Sequence, residues 1–335
     1  MSPVPKRVEV DPIAWRPSAS LETLRRRSRL LSDLRRFFLS KGIQEVETPA
    51  CSVAATSDPA LESLQTVFTG PGAPAGKRLY LHTSPEFAMK RLLCAGCGSI
   101  FQICKVFRNG ELGSMHAPEF TLLEWYRLGI DHHRLMDEVA ELIRTVLPDS
   151  VHEQRFSYRE LFLHHIGIDP LVAPVDALRH AAGACGIGGL DKLQLEDRDA
   201  WLDLLMTHCI EPALGTGMCF VYDYPASQAS LARIRPGTPP LAERFELYLD
   251  GVELANGFHE LNDGAEQRRR FQAELRYRRR RGLPAVPLDE RFLSALDSGG
   301  LPDCAGVALG VDRLLMGMVG AQHIDQVLAF PPGLA

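Results

Sequence analysis

The sequence predicts an α+β fold in which an antiparallel sheet is flanked by helices. Three observations carry that expectation. Two runs with the period of two expected of strands meet across a polar loop between Phe101 and Tyr126; a second such pair runs from Phe245 to Asn256 around Asp250-Gly251; and apolar residues recur at helical spacing from Ser20 to Lys41. At 335 residues with 45% hydrophobic content, the chain can bury a sizeable core. The expected organisation is an N-terminal arm, 1–18, followed by one domain, 19–335.

Composition narrows the function classes. A formal charge of -5 and a pI near 6.1 give no whole-protein attraction to nucleic acid. The N-terminus, MSPVPKRVEVDP, has no apolar run suited to a secretory signal. No stretch reaches the roughly 20 apolar residues of a membrane span, and the run that comes nearest, Gly306 to Gly320, is broken by Asp312 and Arg313. Eight scattered cysteines suit reduced thiols and a cytoplasmic location.

In chain order, Leu21, Leu24, Leu30, Leu31, Leu34, Phe37 and Phe38 form one face of a helix that Gly42 is placed to end, with Arg25 to Arg27 and Arg35-Arg36 on its solvated side. Cys94-Ala-Gly-Cys97 is a lone CxxC without two further ligands at zinc spacing, so it reads as buried thiols beside a helix end. In the strand FQICKVFR, Gln102, Cys104, Val106 and Arg108 share a face. EFTLLEWY then places Phe120, Leu122, Glu124 and Tyr126 on one side, and Asn109-Gly110, Gly113 and Pro118 turn the chain between the two. A guanidinium, a carboxylate and a phenol among apolar residues are costly unless paired. On these residues alone, a bound polar ligand and an internal Arg-Glu ion pair explain them equally.

Residues 127–240 read as helices and loops, with helical spacing from His133 to Val146 and from Arg198 to Ile210. The glycine cluster from Gly183 to Gly189 lacks the GxxxxGK phosphate-loop pattern. His132-His133 and His164-His165 are adjacent pairs that diverge on a helix, which points to surface positions rather than metal ligation. Strand character resumes at Phe220 to Pro225 and again from Phe245, with a turn at Asp250-Gly251. That hairpin brings Glu246 and Glu253 together, a pair read as solvent-facing or as magnesium ligands. From Glu266 to Arg281, Phe271, Leu275 and Leu283 anchor a helix whose exposed side, Arg268 to Arg270 and Arg278 to Arg281, is strongly basic.

These segments carry a family resemblance. RNGELGSMHAPEFTLLEWY, within 101–126, resembles motif 2 of the class II aminoacyl-tRNA synthetases in the form found in lysyl-tRNA synthetases. KGIQEVETP (41–49) resembles motif 1 and GVALGVDRLLMGMVG (306–320) motif 3. TSPE (Thr83 to Glu86) and GVELANGFHELND (Gly251 to Asp263) resemble amino-acid-binding segments of lysyl-tRNA synthetases, and YPASQASLA resembles a segment edging their active site. The likeness spans roughly 20 to 331, with a helical insertion at about 130–215.

The resemblance implies a class II synthetase-like sheet and activation of an amino acid's carboxylate by ATP to an aminoacyl-adenylate. Arg108 and Arg313 would be the catalytic groups, the first bridging the α-phosphate and the attacking carboxylate and the second holding the γ-phosphate. Asn109, Gly110, His116, Ala117, Phe120, Glu253, Leu254 and Gly310 would complete the ATP site, with Phe120 on adenine, and Glu246 and Glu253 would hold Mg2+. Ser84, Pro85, Glu86, Glu124, Tyr126, Asn256, Glu260 and Ala308 would bind the amino acid, with Glu86 and Glu260 taking the two ammonium groups of a lysine-like substrate. The motif 1 helix and the Ile43 to Pro49 segment would form a homodimer.

An anticodon-reading barrel needs on the order of a hundred residues. None is expected here, and hence no tRNA anticodon recognition. Ser84 and Ala308 stand where lysyl-tRNA synthetases usually have Ala and Gly. With GFHELND and the missing barrel, they resemble the elongation factor P β-lysine ligase family, which joins (R)-β-lysine to a lysine of elongation factor P, an acidic acceptor that the basic helix at 266–281 would attract. Gly110 and Ala117 depart from that family's usual Glu and Asn, with Glu111 beside them. A lysyl-tRNA synthetase-like enzyme or free amino-acid ligase using α-lysine, and an inactive regulatory paralog, stay open as alternatives.

Overall fold

The computed structural model describes residues 15–147, 152–190, 193, 195 and 197–334, so the first fourteen residues of the expected arm lie outside the described residues. Helix α1 (Leu21–Ser40) starts where the Ser20 side chain accepts the Thr23 N–H, and it ends before Gly42, whose φ of 69° suits a residue without a Cβ. Its buried stripe is Leu30, Leu34, Phe37 and Phe38. Phe38 stacks on Phe101 with ring centroids 4.6 Å apart, and a fully buried side chain of this kind stabilises by about 1.5–3 kcal/mol.

The chain then forms β1 (Gln44–Glu45), β2 (Cys51–Ser52), β3 (Gln65–Phe68), β4 (Lys77–Leu81) and α2 (Glu86–Cys94). The hairpin β5 (Ile100–Phe107) and β6 (Glu119–Leu128) follows, with Gln102 opposite Glu124 and Val106 opposite Phe120. Next come α3 (His132–Val146), β7 (Glu153–Ser157), α4 (Tyr158–His165), α5 (Val175–Ala184), α6 (Arg198–Leu205), β8 (Met218–Pro225) and β9 (Ile234–Arg235). β10 (Leu241–Leu249) and β11 (Val252–His259) meet at a turn where Asp250 and Gly251 both take positive φ, 52° and 77°. α7 (Gly264–Arg280), α8 (Glu290–Ser298), β12 (Cys304–Gly310) and α9 (Val311–Val319) complete the order.

Among the described residues, nine strands form one sheet in the order β1-β5-β6-β12-β11-β10-β8-β7, with β9 beside β10, while β2, β4 and β3 form a small second sheet. The large sheet is antiparallel through its centre and parallel at both ends, where β1 runs with β5 and β7 with β8. β7 lies within the stretch read as helices and loops. Its five residues are all intermediate in exposure, so no apolar alternation marks it.

Period two decides the two faces. Phe101, Leu123, Trp125, Leu247, Ala255, Val307 and Leu309 join α1, α3 and α9 in the main core. Their neighbours Gln102, Glu124, Ala308, Asn256 and Glu246 face the other way. One end of that second face is rimmed by a core that includes Met89, Leu93, Phe271 and Phe292 from α2, α7 and α8. The other end is rimmed by α4, α5 and α6 packed on Cys219, Val221 and Tyr248.

Helix contacts correct three assignments of solvated or surface residues. Arg27 is not on a solvated side: Nη1 donates to Asp312 Oδ1 at 2.6 Å and Nη2 to Thr121 Oγ1 at 2.7 Å. His132 is 1% exposed, because the sheet covers the first turn of α3. Arg278 is 3% exposed and donates to the Pro284 and Asp58 carbonyls, so the basic side of α7 is narrower than the sequence suggests. Leu283 is exposed rather than an anchor. Cys97 is exposed and Cys94 only partly covered, so the CxxC thiols beside the end of α2 are not both buried.

Candidate active site

Cross-strand register sets Gln102, Glu124, Ala308, Asn256 and Glu246 in one row across five strands. A cavity of about 360 Å³ opens over Glu124, Ala308 and Asn256 of this row and takes in Ser84, Pro85, Glu86, Arg108, Tyr126 and Glu260. Ser230 and Leu231, from the YPASQASLA segment, edge it. Gly306 lies on the same face two residues from Ala308. A Cβ there would come within 2.3 Å of the Tyr126 ring and 2.4 Å of Glu260 Oε1, so only glycine leaves both side chains in place.

The amino-acid end of the cavity is a buried charge cluster. Glu124 accepts hydrogen bonds from Ser84 Oγ at 2.6 Å and from the Tyr126 hydroxyl at 2.7 Å. Burial first, and then the Glu86 charge, push its carboxyl up to about 7. Glu86 and Glu260, expected as separate partners of the two substrate ammonium groups, both meet Lys90, which sequence reasoning missed. Its Nζ is 2.6 Å from each carboxylate, and its side chain has no exposed surface. The two carboxylates hold Lys90 protonated against burial. Burial raises the Glu260 pKa, Lys90 opposes that, and Glu86 and Glu124 add to it. The signal for Lys90 was present: it stands four residues after Glu86 on one helix, the spacing of facing side chains.

At the opposite end, Arg108 and Arg313 come from different elements. Arg108 lies 5.0 Å over the Phe120 ring and 3.4 Å from Glu111. Arg313, in the first turn of α9, donates to the Glu253 carbonyl at 2.7 Å. Its Nη2 lies 2.7 Å from His116 Nε2. Burial and then Arg313 lower the His116 pKa, so the neutral ring accepts that bond. Asn109 is exposed, with its backbone N–H donating to the Glu62 carbonyl. Gly110 has a φ of 80°, a conformation that a glutamate would adopt only under strain, which leaves Glu111 as the loop's carboxylate beside Arg108. Ala117 is 1% exposed in the main core, where an asparagine side chain would bury an amide. Gly310 caps α9, and the Leu254 carbonyl lies 3.8 Å from where its Cβ would be.

Glu246 and Glu253 are joined by the β10-β11 hairpin, though a bulge opposite Tyr248 shifts the register between them. Glu246 is held by the Tyr224 and Tyr248 hydroxyls, each at 2.7 Å, and by Arg244. Glu253 keeps 43% of its side-chain surface. Burial of its carboxylate and the Glu246 charge raise its pKa, which Arg313 opposes. Glu246 and Glu253 offer hard carboxylate oxygens from one hairpin, a donor set that fits a divalent magnesium ion. Arg244 was also missed by sequence reading; it stacks 4.5 Å over the Tyr224 ring and neutralises Glu246.

Residues 6–333 match the family described as tRNA synthetases class II (D, K and N). This chain belongs to the class II tRNA synthetase family. It is an ATP-using ligase of the amino-acid-activating kind. Among its curated relatives, the protein named elongation factor P-(R)-β-lysine ligase of Yersinia enterocolitica is 50% identical over 323 residues, covering 96% of this chain and 98% of the relative. Those of the same name from Salmonella typhi and Vibrio vulnificus are 50% and 49% identical, covering 94% and 95% of this chain and 97% and 98% of their own. Among the described residues, no helix of this synthetase-family chain is long and apolar enough to cross a membrane.

Proposed function

We propose that this chain condenses (R)-β-lysine with ATP to its adenylate and transfers the aminoacyl group to a lysine side chain of elongation factor P. The observation that carries the substrate class is the charge balance of the amino-acid pocket. Three carboxylates, Glu86, Glu124 and Glu260, face one internal cation, Lys90. With all three ionised they leave two negative charges unmatched, which suits the two ammonium groups of a diamine acid whose carboxylate is joined to AMP as a mixed anhydride. The names of the relatives support the acceptor and the β-isomer.

In this reading, Arg108 pairs with the α-phosphate and the attacking carboxylate, and Arg313 with the γ-phosphate end. Planar guanidiniums suit both roles because each donates two parallel hydrogen bonds. Phe120 stacks on adenine, while Asn109, Gly110, His116, Ala117, Leu254 and Gly310 shape the nucleotide site. Glu246 and Glu253 would hold Mg2+, which neutralises phosphate charge. Positioning and charge neutralisation supply the catalysis, so no side chain is needed as a nucleophile. The acceptor amine then attacks the adenylate's carbonyl carbon, forming an amide and releasing AMP. A homodimer through α1 and 43–49 is supported by Leu39, 59% exposed on α1. Docking of the acidic acceptor on the end of α7 is supported by the exposure of Arg279, Arg280 and Arg281.

ATP-pyrophosphate exchange with (R)-β-lysine, α-lysine and norleucine side by side tests the reading. The expected order is (R)-β-lysine first and α-lysine second, with norleucine, which lacks the second ammonium, at least about a hundredfold down in kcat/KM. Norleucine exchange equal to that of α-lysine would sink the charge argument, and α-lysine exceeding the β-isomer would assign the enzyme to α-lysine. Arg108→Ala and Arg313→Ala should each lower exchange about a hundredfold or more.

A further inference from the structure

On the far side of the sheet, where α3 begins, three histidines and three carboxylates crowd together. His132 and His133 open α3, Asp223 lies on β8, Glu243 on β10 and His259 on β11, with Asp303 just before β12. Phe258 and Glu260 line the amino-acid cavity, so His259 between them belongs to the opposite face. None of these six residues has a part in the activation chemistry.

The crowding is unusual in what it leaves unpaired. His132 is 1% exposed, and neither ring nitrogen has a hydrogen-bond partner among the described residues. Its nearest acidic neighbour, Asp223 Oδ1, is 3.5 Å from Nε2, too far for a good hydrogen bond, and that oxygen is itself buried and unpartnered. Asp223 also takes a φ of 58° at an irregular point of the β8-β10 ladder. Such backbone strain is costly for a residue with a side chain, and it concentrates at functional sites. The His132 and His133 rings lie 4.2 Å apart between centroids.

We propose that His132, His133 and Asp223 form a second site that takes a divalent transition-metal ion, with Zn2+ the best fit. One donor atom from each lies within 4.8 Å of the other two. A tetrahedral zinc ion bonds nitrogen and oxygen at about 2.0–2.2 Å, so modest side-chain rotations would close the set. Two imidazoles and a carboxylate select a borderline ion over Mg2+ or Ca2+, which prefer oxygen alone. Glu243 and His259 also lie within 4.8 Å of His132. They are already engaged, His259 Nδ1 with Glu243 at 2.7 Å and Nε2 with Asp303 at 3.1 Å. That leaves them beside the site rather than among its ligands.

Charge agrees with a cation. Arg235 reaches Asp223 at 2.6 Å and Arg233 reaches Asp303 at 2.6 Å. Two guanidiniums against Asp223, Glu243 and Asp303 leave one net negative charge before any histidine is counted. A plain His132–Asp223 contact is the competing explanation, and it would still leave the second ring nitrogen orphaned. A bound ion would staple the start of α3 to β8, behind the strand that carries Asn256.

Calorimetric titration of ZnCl2 into the full chain, stripped with a chelator and held in excess Mg2+ and a phosphine reductant, tests the site. The expected result is one tightly bound Zn2+ accompanied by a rise in melting temperature. His133→Ala and Asp223→Asn should each weaken that event at least tenfold while ATP-pyrophosphate exchange stays near normal. Both positions are only partly buried, which guards against the misfolding that a His132 substitution risks. Unchanged zinc stoichiometry and affinity in both variants would place the ion on cysteines or on Glu246 and Glu253 and overturn the proposal, as would no binding by the parent chain.

Discussion

Glu124 is 2% exposed between Ser84 and Tyr126, and its carboxyl is raised to about 7. The sign of the consequence differs for folding and for binding. Between the ordinary glutamate pKa and about 7 the folded chain holds a proton that the unfolded chain releases, so Glu124 makes stability fall as pH rises through that window. An ammonium ligand needs the charged form, so below about 7 binding must first remove the proton. The KM for the amino acid in pyrophosphate exchange should therefore rise about tenfold per pH unit below that point, while Glu124→Gln should bind weakly and with a shallower profile, the remaining slope coming from Glu260. A flat profile in the parent enzyme would remove Glu124 from substrate binding. Lys90 teaches a related point: a cation inside a cation-binding pocket sets the number of carboxylates that remain for substrate.

At the scale of elements, one buried ion pair ties α1 to the strand and the helix that resemble motifs 2 and 3. Asp312 in α9 receives Arg27 from α1 at 2.6 Å and the Thr121 N–H of β6 at 2.6 Å. Removing one partner of such a pair strands the other in a poor solvent, at a cost of about 3–5 kcal/mol for full burial. Arg27 keeps 16% of its side-chain surface, so the lower end applies. Asp312→Asn should lower stability by about 3 kcal/mol in urea unfolding, and a second change, Arg27→Met, should restore part of the loss. A destabilisation below about 1 kcal/mol, the ceiling for surface pairs, would show that the three elements hold together without the bridge. The same scale explains the misplaced strand: β7 is placed by its parallel pairing with β8, and its side chains EQRFS carry no pattern to reveal it.

Across the whole molecule, a net charge of -5 makes the basic end of α7 an exception in its field. Reversing Arg279, Arg280 and Arg281 to glutamate should slow modification of elongation factor P at low salt and leave pyrophosphate exchange unchanged, with the difference shrinking as salt screens it. Equal modification rates at low salt would return these residues to plain solvation. Arg278 stays out of this test because its carbonyl contacts are structural. The amino-acid sequence by itself determined the hairpin of β5 and β6, the turn at Asp250-Gly251 and the ends of α1. Each of these is written in local periodicity or in a residue's backbone preference. Only the tertiary structure decided which side chains meet. Lys90 reaching Glu260, Arg27 on Asp312 and His132 beside Asp223 are pairings across distant segments. A charged or polar residue reads as solvated in its own stretch of chain, and only the packing of another element over it takes its water away and makes a partner necessary.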